Sequence, residues 1–228
     1  MWWWCLRSRK DLKMKIVLIS DTHGYELKDL PHGDLLVHCG DWSGGGAYVE
    51  TFYFIKWMSS VKQNYTYGVV CVPGNHDRFV ESAPDLTKVQ FNDAGIKLLI
   101  NENIEINGVK IFGTPYTPNF YNWTFMGTDT QLTKHFEAMS ADTDLVISHG
   151  PPYGILDYVG RDGGLSVGSL ALLYKIQEVK PKVVVFGHIH EGRGSTDQNG
   201  ISYYNVSSVD EYYRPIHAPV VIDVDFKK

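Results

Sequence analysis

Five short apolar runs in this chain each stop on the same kind of polar cluster, and no other feature limits its possible folds as much. Lys15–Ser20 (KIVLIS) leads into Asp21-Thr22-His23-Gly24, Leu35–Cys39 (LLVHC) into Gly40-Asp41, and Tyr67–Val72 into Pro73-Gly74-Asn75-His76-Asp77. Leu145–Ser148 (LVIS) leads into His149-Gly150, and Val183–Phe186 (VVVF) into Gly187-His188-Ile189-His190. Runs that are apolar throughout, rather than at alternate positions, predict strands of a sheet covered on both faces. Ligands of such sheets bind beyond the carboxyl ends of the strands. Strands lying side by side would therefore bring all five clusters to one rim.

The rest of the chain supports an α/β fold. Asn107-Gly108 separates two short alternating stretches, the pattern of a two-residue hairpin. Gly200–Ser208 and Ala218–Phe226 read as late strands. Tyr48–Val61, Thr130–Met139 and Ser169–Val179 carry apolar residues at helical spacing, and Pro181 is placed to stop the last of them. Repeats, low-complexity tracts and linkers are lacking, so residues 14–228 read as one domain. Organised sequence opens at Met14. Residues 1–13 (MWWWCLRSRKDLK) read as a poorly ordered extension; their basic residues follow the apolar ones, the reverse of a signal peptide.

Composition narrows the function. Hydrophobic residues make up 43% of the 228, enough for a sizeable core. The net charge is -5 with Lys and Arg scattered, which argues against a nucleic-acid-binding face. No apolar run is long enough to span a bilayer. Cys39 and Cys71 sit in apolar runs and read as buried thiols of a reducing compartment, so a cytoplasmic location is expected. The oligomeric state is left open.

Taken singly, each polar cluster has a plain reading. A histidine at a strand end is commonly structural, and Asp21 or Asp41 could cap a helix or form a turn. Together they are harder to explain that way, because buried carboxylates and imidazoles are costly unless paired or coordinated. Asp21, His23, Asp41, Asn75, His149, His188 and His190 form a mixed nitrogen and oxygen donor set, large enough for two divalent transition-metal ions. Manganese, iron, nickel, cobalt and zinc all suit such donors, with manganese favoured. His76 is left over. His38, in the strand before Asp41, reads either as a core histidine or as one that orients a ligand. Arg78, Arg161 and Arg193 are candidate phosphate contacts, Arg193 the best placed, and His217 is a candidate pocket residue. Tyr116, Phe120, Tyr121, Trp123, Phe125, Tyr153, Tyr158, Tyr212 and Tyr213 lie in predicted loops, where they could stack a base or form a minor hydrophobic cluster.

The ordered series D-x-H, G-D, G-N-H-D, H and G-H-x-H, running from Asp21 to His190, resembles the calcineurin-like metallophosphoesterases. The stretches SDTHG, GTPYTP, SHGPPYGILD, GHIHEGRG and NVSSVDEYY resemble a smaller subgroup, the metallophosphoesterase-domain proteins of animal brain and their microbial relatives. The resemblance implies a four-layer α-β-β-α sandwich with a dinuclear site. Asp21, His23 and His190 would hold one ion and Asn75, His149 and His188 the other, with Asp41 as the bridge. It also implies that water activated by the ions attacks phosphorus and that His76 is the catalytic histidine. The protein phosphatases of the superfamily carry an Asp and an Arg shortly after their G-D motif. Here Trp42-Ser43-Gly44-Gly45-Gly46 stands instead, which disfavours that branch. The expected activity is a phosphodiesterase on small nucleotides, including cyclic ones. The alternatives are a broad phosphomonoesterase, a nuclease, or a protein-binding scaffold.

Overall fold

The run Val183–Phe186 is apolar throughout because both of its faces are covered. Val183 and Val185 point into one hydrophobic cluster, while Val184 and Phe186 point into another. Ile16 and Leu18 are divided from Val17 and Ile19 in the same way. The period-two geometry of a strand makes this division, and it repeats across two sheets. The structure is a computed structural model that describes residues 13–160 and 164–226. The expected extension, apart from Lys13, and Arg161 lie outside the described residues. Lys13 is already paired with Asp225 in a strand.

The first sheet has five strands in the order Val220–Asp225, Lys13–Ile19, Leu35–His38, Val69–Cys71 and Lys97–Leu98. The last four are parallel and the first is an antiparallel edge. The second sheet has six strands in the order Gly194–Gln198, Ile201–Asn205, Val183–Phe186, Leu145–Ser148, Val109–Thr114 and Glu102–Ile106. Its four central strands are parallel and both edges are antiparallel. Met14, Ile16, Leu18, Val37, Val70, Ile111, Leu145, Ile147 and Val185 form the core between the sheets. Helices α1 (Tyr48–Val61), α2 (Arg78–Ser82) and α3 (Pro84–Asp93) cover the outer face of the first sheet through Phe54, Trp57, Met58, Val80 and Phe91. Helices α4 (Asp129–Phe136) and α5 (Leu170–Val179) cover the second through Leu132, Phe136, Leu172 and Ile176. The four-layer α-β-β-α sandwich is the observed fold.

Three details depart from expectation. Helices α2 and α3 are additional: Leu86 and Val89 are exposed, so α3 shows no clean apolar stripe to read. Helix α4 ends at Phe136 because a turn follows, and Met139 is buried from that turn. Ser169 caps α5, its side chain accepting from the Leu172 N–H, instead of forming its first turn. The Asn107-Gly108 hairpin forms as expected, with Ile106 paired to Val109.

Leu145 is fully buried between the sheets. Leu145→Ala should destabilise the fold by about 2–5 kcal/mol, since the site collapses only partly around the deleted atoms. Urea unfolding would measure it; a loss below about 1 kcal/mol would contradict the close-packed inter-sheet core.

Candidate metal centre

All five parallel strands that end in polar clusters deliver them to one rim between the sheets. Asp21, Asp41 and His149 are buried, and His23, His188 and His190 are partly so. Three groups of donor atoms lie within 4.8 Å of one another: Asp21, His23 and His190; His23, Asp41 and His76; and Asp41, His149 and His188. Asp41 thus joins the third group to the second, and His23 joins the second to the first. The Asn75 carboxamide oxygen lies 2.9 Å from His149 Nε2, in the same cluster as Asp41 Oδ2 at 3.4 Å. Every residue expected to be a ligand is therefore brought to this centre.

The backbone is bent sharply to do this. Asp21, His23, Asp41 and His188 all have positive φ, from 43° to 65°. Such conformations are uncommon outside glycine and concentrate at functional sites. Gly187 meets a different requirement. A Cβ there would lie 2.0 Å from Asp21 Oδ2, so only glycine lets the second sheet approach the Asp21 carboxylate. That approach is used: both Asp21 oxygens accept the His188 N–H, at 3.0 and 3.1 Å.

Three of the expected ligand imidazoles have a fixed tautomer. His23, His149 and His190 each place Nδ1 about 3 Å from a backbone carbonyl, of Ser43, Cys39 and Asp210 respectively. A carbonyl can only accept, so Nδ1 carries the hydrogen and Nε2 faces the cluster. His23 Nε2 is buried and has no hydrogen-bond partner. An orphaned imidazole nitrogen beside two carboxylates is the donor arrangement a divalent cation fits. His38 is fully buried: its Nδ1 accepts from the Gly40 N–H, so its Nε2–H donates to Thr22 Oγ1 at 3.0 Å. It braces both the Asp21–His23 turn and the glycine before Asp41.

The electrostatics follow from these contacts. Burial raises the Asp21 pKa, but the hydrogen bond and charge of His190 outweigh it and hold the carboxyl at about 2. Burial acts likewise on Asp41, yet His149 and His23 keep it well below the usual carboxylate range. His149 is lowered by burial and raised more strongly by Asp41, to about 9. His188 is pushed down to about 3 by burial and by the neighbouring His149. Without cations, His149 carries a proton at neutral pH on the ring that faces Asp41.

His76 sits at the cavity wall. Its Nδ1 donates to the Gly44 carbonyl at 2.7 Å, its ring lies 4.2 Å from that of Trp123, and it meets His23 edge-on at 4.7 Å. The hydrogen bonds of the Asp77 carboxylate go elsewhere than to that ring. The carboxylate is fully buried and accepts the backbone N–H groups of Asp41, Ser43 and Gly74, at 2.7 to 3.0 Å. It binds the two metal-motif loops of the first sheet together, a role its place beside His76 did not reveal.

The centre opens into a cavity of about 810 Å³. Of the aromatic set, Phe120, Tyr121, Trp123 and Tyr213 line it. Phe125 is buried against the first sheet, and Tyr116 stacks on His135 at 3.6 Å. Arg193 and His217 are not among its lining residues. Arg193 spends its guanidinium on the carbonyls of Ser207 and Ala218, at 2.6 and 2.7 Å, bracing the C-terminal loop. The Arg78 guanidinium lies over the Trp123 ring, 4.8 Å from its centre, and Arg78 is not among the cavity-lining residues.

Among the described residues, no helix is long and apolar enough to cross a membrane. The sequence profile described as calcineurin-like phosphoesterase matches residues 14–192. Metallophosphoesterase domain-containing protein 1 of Homo sapiens is 32% identical, over 92% of this chain and 71% of its own length. A UPF0046 protein of Caenorhabditis elegans is 31% identical, over 92% of this chain and 60% of its own. The solved structure of TT1561 from Thermus thermophilus superposes with a TM-score of 0.62 at 12% identity, covering 94% of this chain and 99% of that one, a likeness of fold. The family and the clusters of Asp and His together point to divalent metal ions. With its motif series gathered at one rim of the sandwich, the chain belongs to the calcineurin-like phosphoesterase family.

Proposed function

We propose that the protein is a phosphodiesterase acting on small nucleotides, cyclic nucleotides among them, with two divalent ions held on either side of Asp41. The observation that carries this reading is the shared position of Asp41, which belongs to a donor group with His23 and to another with His149 and His188. Asp21, His23 and His190 would hold one ion; Asn75, His149 and His188 would hold the other. Bound there, the ions would lower the pKa of water and offset charge growing on the phosphoryl oxygens.

The chain's own residues do the rest. The Nδ1–H bonds of His23, His149 and His190 keep three Nε2 atoms aimed inward. His76 Nδ1–H stays on Gly44, which leaves Nε2 to give a proton to the departing alkoxide. Phe120, Tyr121, Trp123 and Tyr213 offer ring faces to a base. None of the described lining residues is Lys or Arg, while Glu191 and Glu211 are among them. A monoester dianion is usually gripped by guanidinium, so this wall suits the single charge of a diester.

Comparing kcat/KM for bis(4-nitrophenyl) phosphate with 4-nitrophenyl phosphate, and for a cyclic nucleotide with its monophosphate, tests the substrate class at saturating Mn²⁺. Diesters should win both comparisons; a monoester preference in both would promote a phosphomonoesterase. His76→Ala should keep its metal content. It should lose about 10²–10⁴-fold on alkoxide leaving groups and far less on nitrophenolate. Loss of metal, or equal losses on both, would remove His76 as the acid.

Metal uptake should depend on pH with a definite sign. His149, at about 9, must give up its proton before its Nε2 can accept an ion, whereas His188, at about 3, is already neutral. Affinity should therefore rise between pH 7 and 9, with proton release on binding at pH 7. Calorimetry in buffers of different ionisation enthalpy reads that release directly. Proton-independent binding would contradict a His149 that is protonated in the empty site and gives up that proton to ligate.

A further inference from the structure

Glu50 lies in the first turn of α1, outside every donor group, yet it accepts more backbone hydrogen bonds than its place in the helix requires. Its Oε1 accepts from Gly44 N–H at 2.8 Å and Gly45 N–H at 3.1 Å, and its Oε2 from Ala47 N–H at 2.8 Å. The Ala47 bond is the usual return contact from the third helical position to the helix cap. The two glycine bonds go beyond capping. Burial raises the Glu50 pKa, but the amides of Gly45, Ala47, Gly44 and Gly46 together hold it below its ordinary value. One carboxylate thus gathers the whole Gly44-Gly45-Gly46 segment.

The far side of the same segment is held by the His76 loop. The Gly46 carbonyl accepts the Phe79 N–H at 3.1 Å, and a Cβ on Gly46 would lie 2.4 Å from the His76 carbonyl oxygen. Between these two clasps the Gly44 carbonyl points at His76 Nδ1. Three consecutive glycines have the greatest backbone freedom of any sequence, and a carbonyl on such a segment has no fixed direction of its own. Whatever fixes that segment also fixes the imidazole.

We propose that Glu50 is a positioning residue for His76, acting through the glycine segment and the Gly44 carbonyl in place of a carboxylate bonded to the ring. This rests on the reading of His76 as general acid. In that step the Nε2 proton passes to the leaving oxygen and the ring is left neutral. Its Nδ1–H stays on Gly44 throughout, and water restores the Nε2 proton afterwards.

The test compares wild type, Glu50→Gln, His76→Ala and the double variant on a series of aryl phosphodiesters of rising leaving-group pKa. Glu50→Gln should lower kcat about 10–100-fold for the poorest leaving group, with little change in KM and a small effect for 4-nitrophenolate. It should add nothing in the His76→Ala background. A loss uniform across the series, or one that persists without His76, would overturn the relay and leave Glu50 as a helix cap. If His76→Ala itself leaves the leaving-group dependence unchanged, the acid role and the relay fall together. A steep His76→Ala with a flat Glu50→Gln removes the relay alone. A second readout needs no turnover. In the metal-free protein, the ¹⁵N shifts of the His76 ring should report hydrogen on Nδ1 in wild type and a tautomer mixture in Glu50→Ala, with folding checked by thermal melting. Unchanged shifts in the variant would contradict the proposal.

Discussion

Two buried carboxylates, Asp21 and Asp41, are the constraint around which the rest of the structure is arranged. An ionised carboxyl taken out of water costs several kcal/mol unless donors or cations surround it. Neither residue finds enough partners within its own sheet. Asp21 takes the His188 N–H and the His190 imidazole from the opposite sheet. Asp41 takes the His76 N–H from its own sheet and faces the His149 imidazole from the other. The two sheets must therefore close to within hydrogen-bonding distance at their carboxyl ends. The β-branched and leucine residues between them are what hold that distance.

The glycines at the rim are part of the same solution. Gly187 admits the Asp21 carboxylate. Gly74 does the same for Asp41, since a Cβ there would sit 2.3 Å from Asp41 Oδ1. The first sheet's loops are then locked to each other by Asp77, whose carboxylate carries three backbone amides. Burial and the nearby Asp41 raise the Asp77 pKa to about 8. Cations bound at Asp41 would relieve that repulsion, so the loops and the metal centre depend on one another. Strain at four left-handed residues is tolerated because each is fixed from several directions.

Much of this was legible from residue types. Val183–Phe186 and Leu145–Ser148 had to be doubly covered strands, and the metal-type residues were visible as a series because each ends such a strand. Helix α1 was readable from its buried Phe54, Trp57 and Met58, whereas α3, with Leu86 and Val89 turned to solvent, was not. What orients His76 could not be read, because the group is a backbone carbonyl and leaves no side-chain signature. Arg193 looked like a phosphate contact by its place after the last motif. Its guanidinium is bound to Ser207 and Ala218, and that depends on a long-range path of the C-terminal loop. Four of the nine residues in the aromatic set line the cavity. The remainder lies in the core or away from the cavity, which loop composition does not distinguish.

The central claim is that Asp41 is shared between two ions. Anomalous diffraction at the manganese edge, from crystals grown with Mn²⁺, tests it most directly. The account predicts two anomalous peaks flanking the Asp41 carboxylate, one beside Asp21, His23 and His190 and the other beside Asn75, His149 and His188. A single peak, or two peaks neither of which touches Asp41, would contradict it.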